Sequence, residues 1–458
     1  MRRDRMAKLW QKQYDIDSRI DAFTTGNDYE LDMYLLPWDC LASAAHAEML
    51  AKTGIIPGNE ADSLKRGLSS ITSRFYSGNF KIEPDQEDCH TAIENDLVEQ
   101  LGDTGKRIHT GRSRNDQVLA ALRLFGKASL IRCFEEGILL GGELLEFARE
   151  HADVPMPGYT HTRSAMPSSV GLWAGAFLEN LLDDLELTEG AYRLNDRSPL
   201  GSAASYGVPL PLDREMVARR LGFREVQNNV LGVQNSRGKM EGIILGALDF
   251  IGVTLARLSE DLIMFSMPEF GYFHLPPELC SGSSIMPQKM NPDVLELVRG
   301  KSHTVSAWAG QVKSVIRNLP SGYNRDFQET KEPFIRGLSC IQDCLLAVRL
   351  TVEKLQVNRE TLKSSFTSDV FAADEAFKLV AKGIPFRDAY LQVAGKLDRL
   401  KGFTPEETIK NRTAAGTAGN LRLDRAETQL DSEKKKWADQ RSALEQTSRD
   451  LLGSPLRF

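Results

Sequence analysis

The sequence predicts an all-α protein of three domains, the central one a bundle of five long helices. Three observations predict it. Apolar residues recur at helical spacing in five long stretches between about residues 115 and 357. No stretch of useful length alternates apolar and polar residues as a half-buried strand would. A chain of 458 residues is too long for one simple core. Apolar content of 41% with 26% charged residues is that of a soluble globular protein.

Residues 1–112 form the first expected domain, of shorter helices. One is "LASAAHAEMLAKTG", where Gly54 is a suitable helix stop. Residues 113–360 form the second. Its helices begin in "NDQVLAALRLFGKASLIRCFEEGILLGGELLEFAREH", which carries Val118, Leu122 and Phe125 on one face, and in "SVGLWAGAFLENLLDDLELTEGAYRL". "KMEGIILGALDFIGVTLARLSEDLIMF", "PDVLELVRGKSHTVSAWAGQVKSVIRNL" and "EPFIRGLSCIQDCLLAVRLTVEKLQV" complete the five. Such a set packs as a bundle. Residues 361–458 form the third domain, with breaks at "KGIPFRD" and "KGFTPEE" and a charged amphipathic tail helix that reads as a solvated cap.

The net charge of −6 argues against a general nucleic-acid binder. An acidic substrate would have to be drawn by local cations. Six scattered cysteines without a CxxC pair support neither a zinc site nor a disulfide framework, and read as reduced, buried thiols of a cytoplasmic protein. "MRRDRMAKLWQKQYD" has charges but no apolar core, unlike a signal peptide. The most apolar segment, from Gly242, is interrupted by Asp249 and Arg257, and reads as a bundle helix covered on all sides rather than a membrane span.

The breaks between helices carry the chemistry. In "HTGRSRNDQ", Ser113, Asn115 and Asp116 are all helix-capping types, and free N–H groups beside Arg112 and Arg114 would suit an anion. Capping with surface ion pairs would also account for the segment. In "GYTHTRSAMP", His161 follows Thr160 and sits near Arg163. A lone histidine is more often structural, but its cation could bind a carboxylate or protonate a leaving group. "SGSSIMPQKMNPD" offers Ser283, Ser284, Lys289 and Asn291 between two prolines. A serine is a poor base unless its anion is stabilised, which backbone N–H groups and a lysine could do. No GxSxG elbow surrounds these serines. A mobile lid with a fixed set of functional groups is the preferred reading over a plain connection. "SGYNRDFQETKEP" adds Tyr323, Asn324, Arg325 and Gln328, with Arg325 able to grip a carboxylate bidentately.

Taken in order on this helical plan, the segments resemble the argininosuccinate lyase branch of the fumarase/aspartase superfamily. "GSSIMPQKMNPD" resembles the superfamily signature, and "HTGRSRNDQV" resembles this branch in particular. "MPGYTH", "PLGSAA", "YNRDFQE", "GIPFRDAY" and "FTTGNDYELDMYLLPWDCLASAAHAEML" are similar to the same branch, so the likeness runs from about Leu9 to about Gly402.

The resemblance implies a cytoplasmic lyase of arginine biosynthesis that splits argininosuccinate into arginine and fumarate. It implies a homotetramer with no cofactor or metal, its core built by the central bundles and its active sites shared between subunits. It implies Ser283 as base, with Lys289 and Asn291 holding the charged intermediate. Thr160 and His161 match contacts to the succinyl part, with His161, polarised by Glu296, as acid or relay. Ser113, Arg114 and Asn115 match the binding loop, Tyr323, Arg325 and Gln328 the arginine-side contacts, and Asp88 and His90 further site residues.

Three departures bear on the amine. Thr162-Arg163 stands where the family often has Leu-Gln, Met290 where it often has a second Lys, and "FTTGND" before Asp32 lacks the usual serine. A sister lyase for another N-succinyl amine is therefore an alternative. A non-catalytic crystallin-type homologue is another, opposed by the retained Ser283, Lys289, His161 and Asn115.

Overall fold

The computed structural model describes residues 17–397, 400 and 402–458. The N-terminal stretch unlike a signal peptide, residues 1–15, lies outside the described residues, as does Lys401 of "KGFTPEE".

The longest helices before the bundle are α1 (Asp28–Lys52), α2 (Gly58–Tyr76) and α3 (Cys89–Leu101), with short helices at Ser18–Thr25 and Asp103–Lys106. Gly54, at φ +73°, lies just past the end of α1, in the left-handed conformation that glycine adopts at no steric cost. The five expected long helices are present: α4 (Arg114–Glu150), α5 (Val170–Asn195), α6 (Lys239–Ser266), α7 (Asp293–Val315) and α8 (Lys331–Lys354). α6 packs against α5, α7 and α8, and α4 against α5 and α8. At Gly337 the Leu245 side chain of α6 packs directly on the backbone of α8: a Cβ there would lie 2.4 Å from Leu245 Cδ2.

The charged tail is the helix α9 (Leu423–Leu452). It is solvated on one side only. On the other, Trp437 stacks on Phe134 of α4 at 3.6 Å and 7°. Removing that buried ring would cost about 3–5 kcal/mol. Shorter helices Ala372–Ala381, Phe386–Ala394 and Pro405–Lys410 precede α9, separated at the two expected breaks. The first two hold a small apolar cluster of their own around Ala376, Ala389 and Val393.

Two expectations need correction. Where no strand was expected, Pro155–Thr160 (β1) and Arg163–Ser169 (β2) form an antiparallel hairpin. Its prolines and Gly158 dilute the alternating pattern that would reveal it. Nor is α6 covered on all sides within one chain, because Phe250 is 56% and Val253 48% exposed. Among the described residues α6 is the helix long and apolar enough to cross a membrane, yet 61% of its apolar window is buried inside the protein. All six cysteines are unpaired, and all but Cys280 are buried.

Candidate active site

The functional segments sit where the helices start and stop. Ser113 caps α4: its hydroxyl accepts the Asn115 N–H at 3.3 Å, and the Asp116 carboxylate accepts the Ser113 N–H at 2.9 Å. The other Asp116 oxygen accepts the N–H groups of Gly201 and Ala203, at 2.9 and 3.0 Å. That fully buried carboxylate ties the "PLGSAA" loop to the start of α4. Asp88 caps α3 by accepting the Thr91 N–H at 2.9 Å.

These caps and the segment between α7 and α8 surround a cavity of about 350 Å³. Of the expected binding residues, Asp88, His90, Ser113, Arg114, Asn115, Tyr323, Arg325 and Gln328 all line it. Arg114 pairs with Asp88, and with Glu87 at 3.3 Å. Arg325 reaches Glu87 at 2.9 Å and Gln328 at 3.0 Å. Gln328 donates to the carbonyls of Thr24 and Thr25, both at 3.2 Å, which brings the "FTTGND" segment to the site.

Asp28, Asp32, Arg237 and Lys331 also line the cavity, and the sequence reading had not singled them out as site residues. The buried Lys331 ammonium lies 2.7 Å from Asp32 and 3.0 Å from Asp28. Burial alone would lower its pKa, but the charges of Asp32 and Asp28 outweigh this and raise it. The Arg237 guanidinium lies over the Tyr323 ring at 5.4 Å. Burial, then the Arg112 charge, pushes His109 down to about 4, so it lines the cavity as a neutral ring.

Asp32, Cys89 and His90 bring three potential metal-ligand atoms within 4.8 Å of one another. Their chemistry suits a cation poorly. Lys331 already stands beside Asp32, and burial raises the Cys89 thiol well above its ordinary pKa, whereas a metal needs the thiolate.

The remaining site residues are elsewhere. Ser281–Gly282 pairs with Met290–Asn291 and closes a loop before α7. Within it, the Ser283 hydroxyl oxygen accepts the N–H groups of Ile285 and Met286, at 3.4 and 3.1 Å. Lys289 is exposed in the loop, and Glu296 is exposed on the first turn of α7. Asn291 donates to the Ser281 hydroxyl at 3.5 Å. Thr160 and Arg163 pair across the hairpin, leaving His161 and Thr162 as its exposed two-residue turn. Both turn residues have positive φ, +51° and +57°. Among the described residues no ion pair or hydrogen bond joins His161 to Glu296.

The two sets lie at opposite ends of the bundle. Arg237, at the cavity, precedes α6, and Gly238 faces Ile316 just beyond α7. Tyr159 of the hairpin packs on Phe265, at the other end of α6. The intervening helix of 28 residues spans about 40 Å at 1.5 Å per residue. The loop before α7 lies at that far end too, because α6 and α7 run antiparallel, with Gly252 facing Ser302 near their middles. No small molecule can touch both sets in one chain.

A family model described as "Lyase" matches residues 2–307. The chain is 45% identical to an argininosuccinate lyase of Thermotoga neapolitana, over 86% of this chain and 99% of the relative. It is 42% identical to an argininosuccinate lyase of Phocaeicola vulgatus, over 97% of this chain and 99% of that one. A structure of EDDS lyase in complex with formate superposes with a TM-score of 0.81 at 21% identity, over 96% of this chain and 95% of that one. A class II fumarase from Schistosoma mansoni does so with a TM-score of 0.71 at 16% identity, over 86% and 95%. These two likenesses establish the fold.

Proposed function

The chain belongs to the argininosuccinate lyase family, and on that premise we propose that it splits argininosuccinate reversibly into arginine and fumarate, the last step of arginine biosynthesis. It is a carbon–nitrogen lyase. The observation that carries the substrate reading is the cavity. Expected binding residues from three distant stretches, around Asp88, Asn115 and Arg325, converge on one space rich in both charges. Such a space suits an amino-acid end that carries an ammonium and a carboxylate.

In the proposed elimination the Ser283 oxygen takes a proton from the succinyl Cβ. The C–H electron pair is held on the neighbouring carboxyl as an aci-carboxylate, facing Lys289 and Asn291. That pair then becomes the Cα–Cβ double bond of fumarate. The Cα–N bond breaks, its electrons leave with the guanidino nitrogen, and His161, oriented by Glu296, supplies the proton. Thr160 holds the succinyl part. The N–H groups of Ile285 and Met286 on the Ser283 oxygen support its role as base, because they favour the anion over the neutral hydroxyl.

The proposed assembly is a homotetramer in which the Ser283 loop and the His161 hairpin meet the cavity of other copies. The separation of about 40 Å within one chain supports this. So do the exposed Phe250, Val253, Leu297 and Leu346 on the bundle helices, which a second copy would cover. The proposed domains divide the work: 1–112 and 113–360 supply the site, and 361–458 packs beside the hairpin. The unpaired cysteines accord with a cytoplasmic location.

The test is release of fumarate from argininosuccinate, followed by ultraviolet absorbance, together with addition of a panel of amines to fumarate. Arginine as the best amine supports the reading. A better amine of another kind would move it to a sister lyase, with Thr162 and Arg163 as the first positions to examine.

A further inference from the structure

His90 lines the cavity yet is only 4% exposed, and its Nε2 has no hydrogen-bond partner among the described residues. A buried ring nitrogen left unpaired is costly, so this atom calls for a ligand. The other ring nitrogen is firmly held: Nδ1 lies 2.9 Å from an oxygen of Asp39, itself buried on α1. The second Asp39 oxygen accepts the Ser43 hydroxyl at 3.4 Å, and Ser43 in turn accepts a guanidinium N–H of Arg112 at 2.8 Å. Arg112 also donates to the Ile108 carbonyl at 3.1 Å. A buried chain thus runs from the loop before α4, through α1, to the start of α3.

We propose that Asp39 is a positioning residue: it fixes His90 with Nδ1–H on its carboxylate and turns Nε2–H into the cavity as a donor to the carboxylate of the substrate's amino-acid end. The inference rests on reading the cavity as the site for that end.

The donor role follows from what surrounds the ring. Asp32 and Asp39 face it from α1, Asp88 and Cys89 from the start of α3, His109 and Arg112 from the loop before α4, and Lys331 stands beside Asp32. Burial alone would lower the His90 pKa. The Asp39 charge and hydrogen bond, then Asp88 and Asp32, outweigh it and raise the pKa. The ring therefore keeps both protons further into the neutral range. Arg114, Arg325 and Lys331 each already face a carboxylate of the protein, which leaves His90 Nε2 and Arg237 Nε as the unpartnered buried nitrogens of the cavity wall among the described residues.

The test is steady-state kinetics on the assembled full-length enzyme with argininosuccinate across pH. His90→Ala is expected to raise KM about tenfold or more, the scale of one hydrogen bond to a charged group, with kcat changed less than about threefold. His90→Gln, which keeps an N–H of similar reach, is expected to restore most of the lost affinity and to remove the alkaline limb of kcat/KM. Asp39→Asn is expected to move that limb to lower pH by about one unit or more. If buried Asp39→Asn does not fold, the two His90 variants decide the matter. A purely structural role would lower the thermal midpoint without separating KM from kcat or moving the limb, and that result overturns the proposal. No fumarate from the wild-type protein overturns the reading beneath it. Normal wild-type turnover with a silent His90→Ala overturns this inference alone.

Discussion

The Lys331 ammonium and the Asp32 carboxylate lie 2.7 Å apart, both buried, although 299 residues separate them in the chain. Asp32 also accepts the Cys89 N–H at 3.0 Å, so one side chain joins α1, α3 and α8 at the cavity wall. Removing one partner of a buried pair leaves an uncompensated charge. Lys331→Ala is expected to destabilise the protein by about 3–5 kcal/mol, read from its denaturant midpoint. A loss below about 1 kcal/mol would mean that water or a neighbouring cation replaces the ammonium.

The same pair sets a pH window. Burial would raise the Asp32 pKa, but the charges of Lys331 and then His90 outweigh it and pull the pKa down. Its contribution is therefore present above the unfolded value of about 3.9 and is lost as pH falls through the folded one. Lys331 is raised, so its contribution is complete below about 10.4 and is lost as pH rises through the folded value. Asp28 is raised by burial, and so offsets part of the acid loss. Denaturant midpoints are expected to stay level between about pH 5 and 10 for this pair and to fall outside it. In Lys331→Met the alkaline fall attributable to the pair should disappear.

This pair also marks what the sequence could and could not reveal. The five long helices were legible because each repeats its apolar face over many turns. Ser113 was legible as a cap because Asp116 follows at the capping-box spacing. Lys331 was not, because its partners come from the far N-terminal part of the chain. One local signal existed: a lysine as the first residue of α8 opposes the helix dipole, so something must hold it there. The hairpin carrying His161 was missed because its two-residue turn lacks the Asn-Gly or Asp-Gly pair that normally announces one.

Thr162 is β-branched and held at φ +57°, in the second position of a two-residue hairpin turn. A left-handed conformation costs an L-residue about 1–2 kcal/mol, and glycine avoids that cost while adding unfolded-state entropy. Thr162→Gly is expected to leave stability equal or up to about 1 kcal/mol higher, read from thermal and denaturant midpoints. A clear loss would show that the threonine side chain is needed where the hairpin meets another copy.

Ser283→Ala is expected to lower kcat by about 10²–10⁴-fold, the usual weight of a positioned base, with the assembled state unchanged by light scattering. Near-normal turnover would remove Ser283 as the base and leave its two backbone donors as ordinary turn geometry.

Lys289→Ala is expected to reduce kcat as well as affinity, because the intermediate carries more negative charge than the substrate does. A loss of about 10²–10³-fold in kcat fits a group aimed at developing charge. A rise in KM with kcat unchanged would instead make Lys289 a ground-state contact. Met290 beside it is 47% exposed, and Met290→Lys is expected to change kcat much less.

Ser283 and Gln328 lie at opposite ends of helices about 40 Å long, so in one chain they cannot serve the same substrate. Ser283→Ala and Gln328→Ala should each be nearly inactive as pure assemblies. Unfolded together and refolded as a mixture, some sites would draw an intact Ser283 loop from one variant and an intact cavity from the other. Those sites carry no lesion and should regain turnover, in proportion to the fraction of mixed assemblies. Mixing without any gain, while mass measurements confirm mixed assemblies, would overturn the reading that Ser283 and Gln328 of different copies share a site.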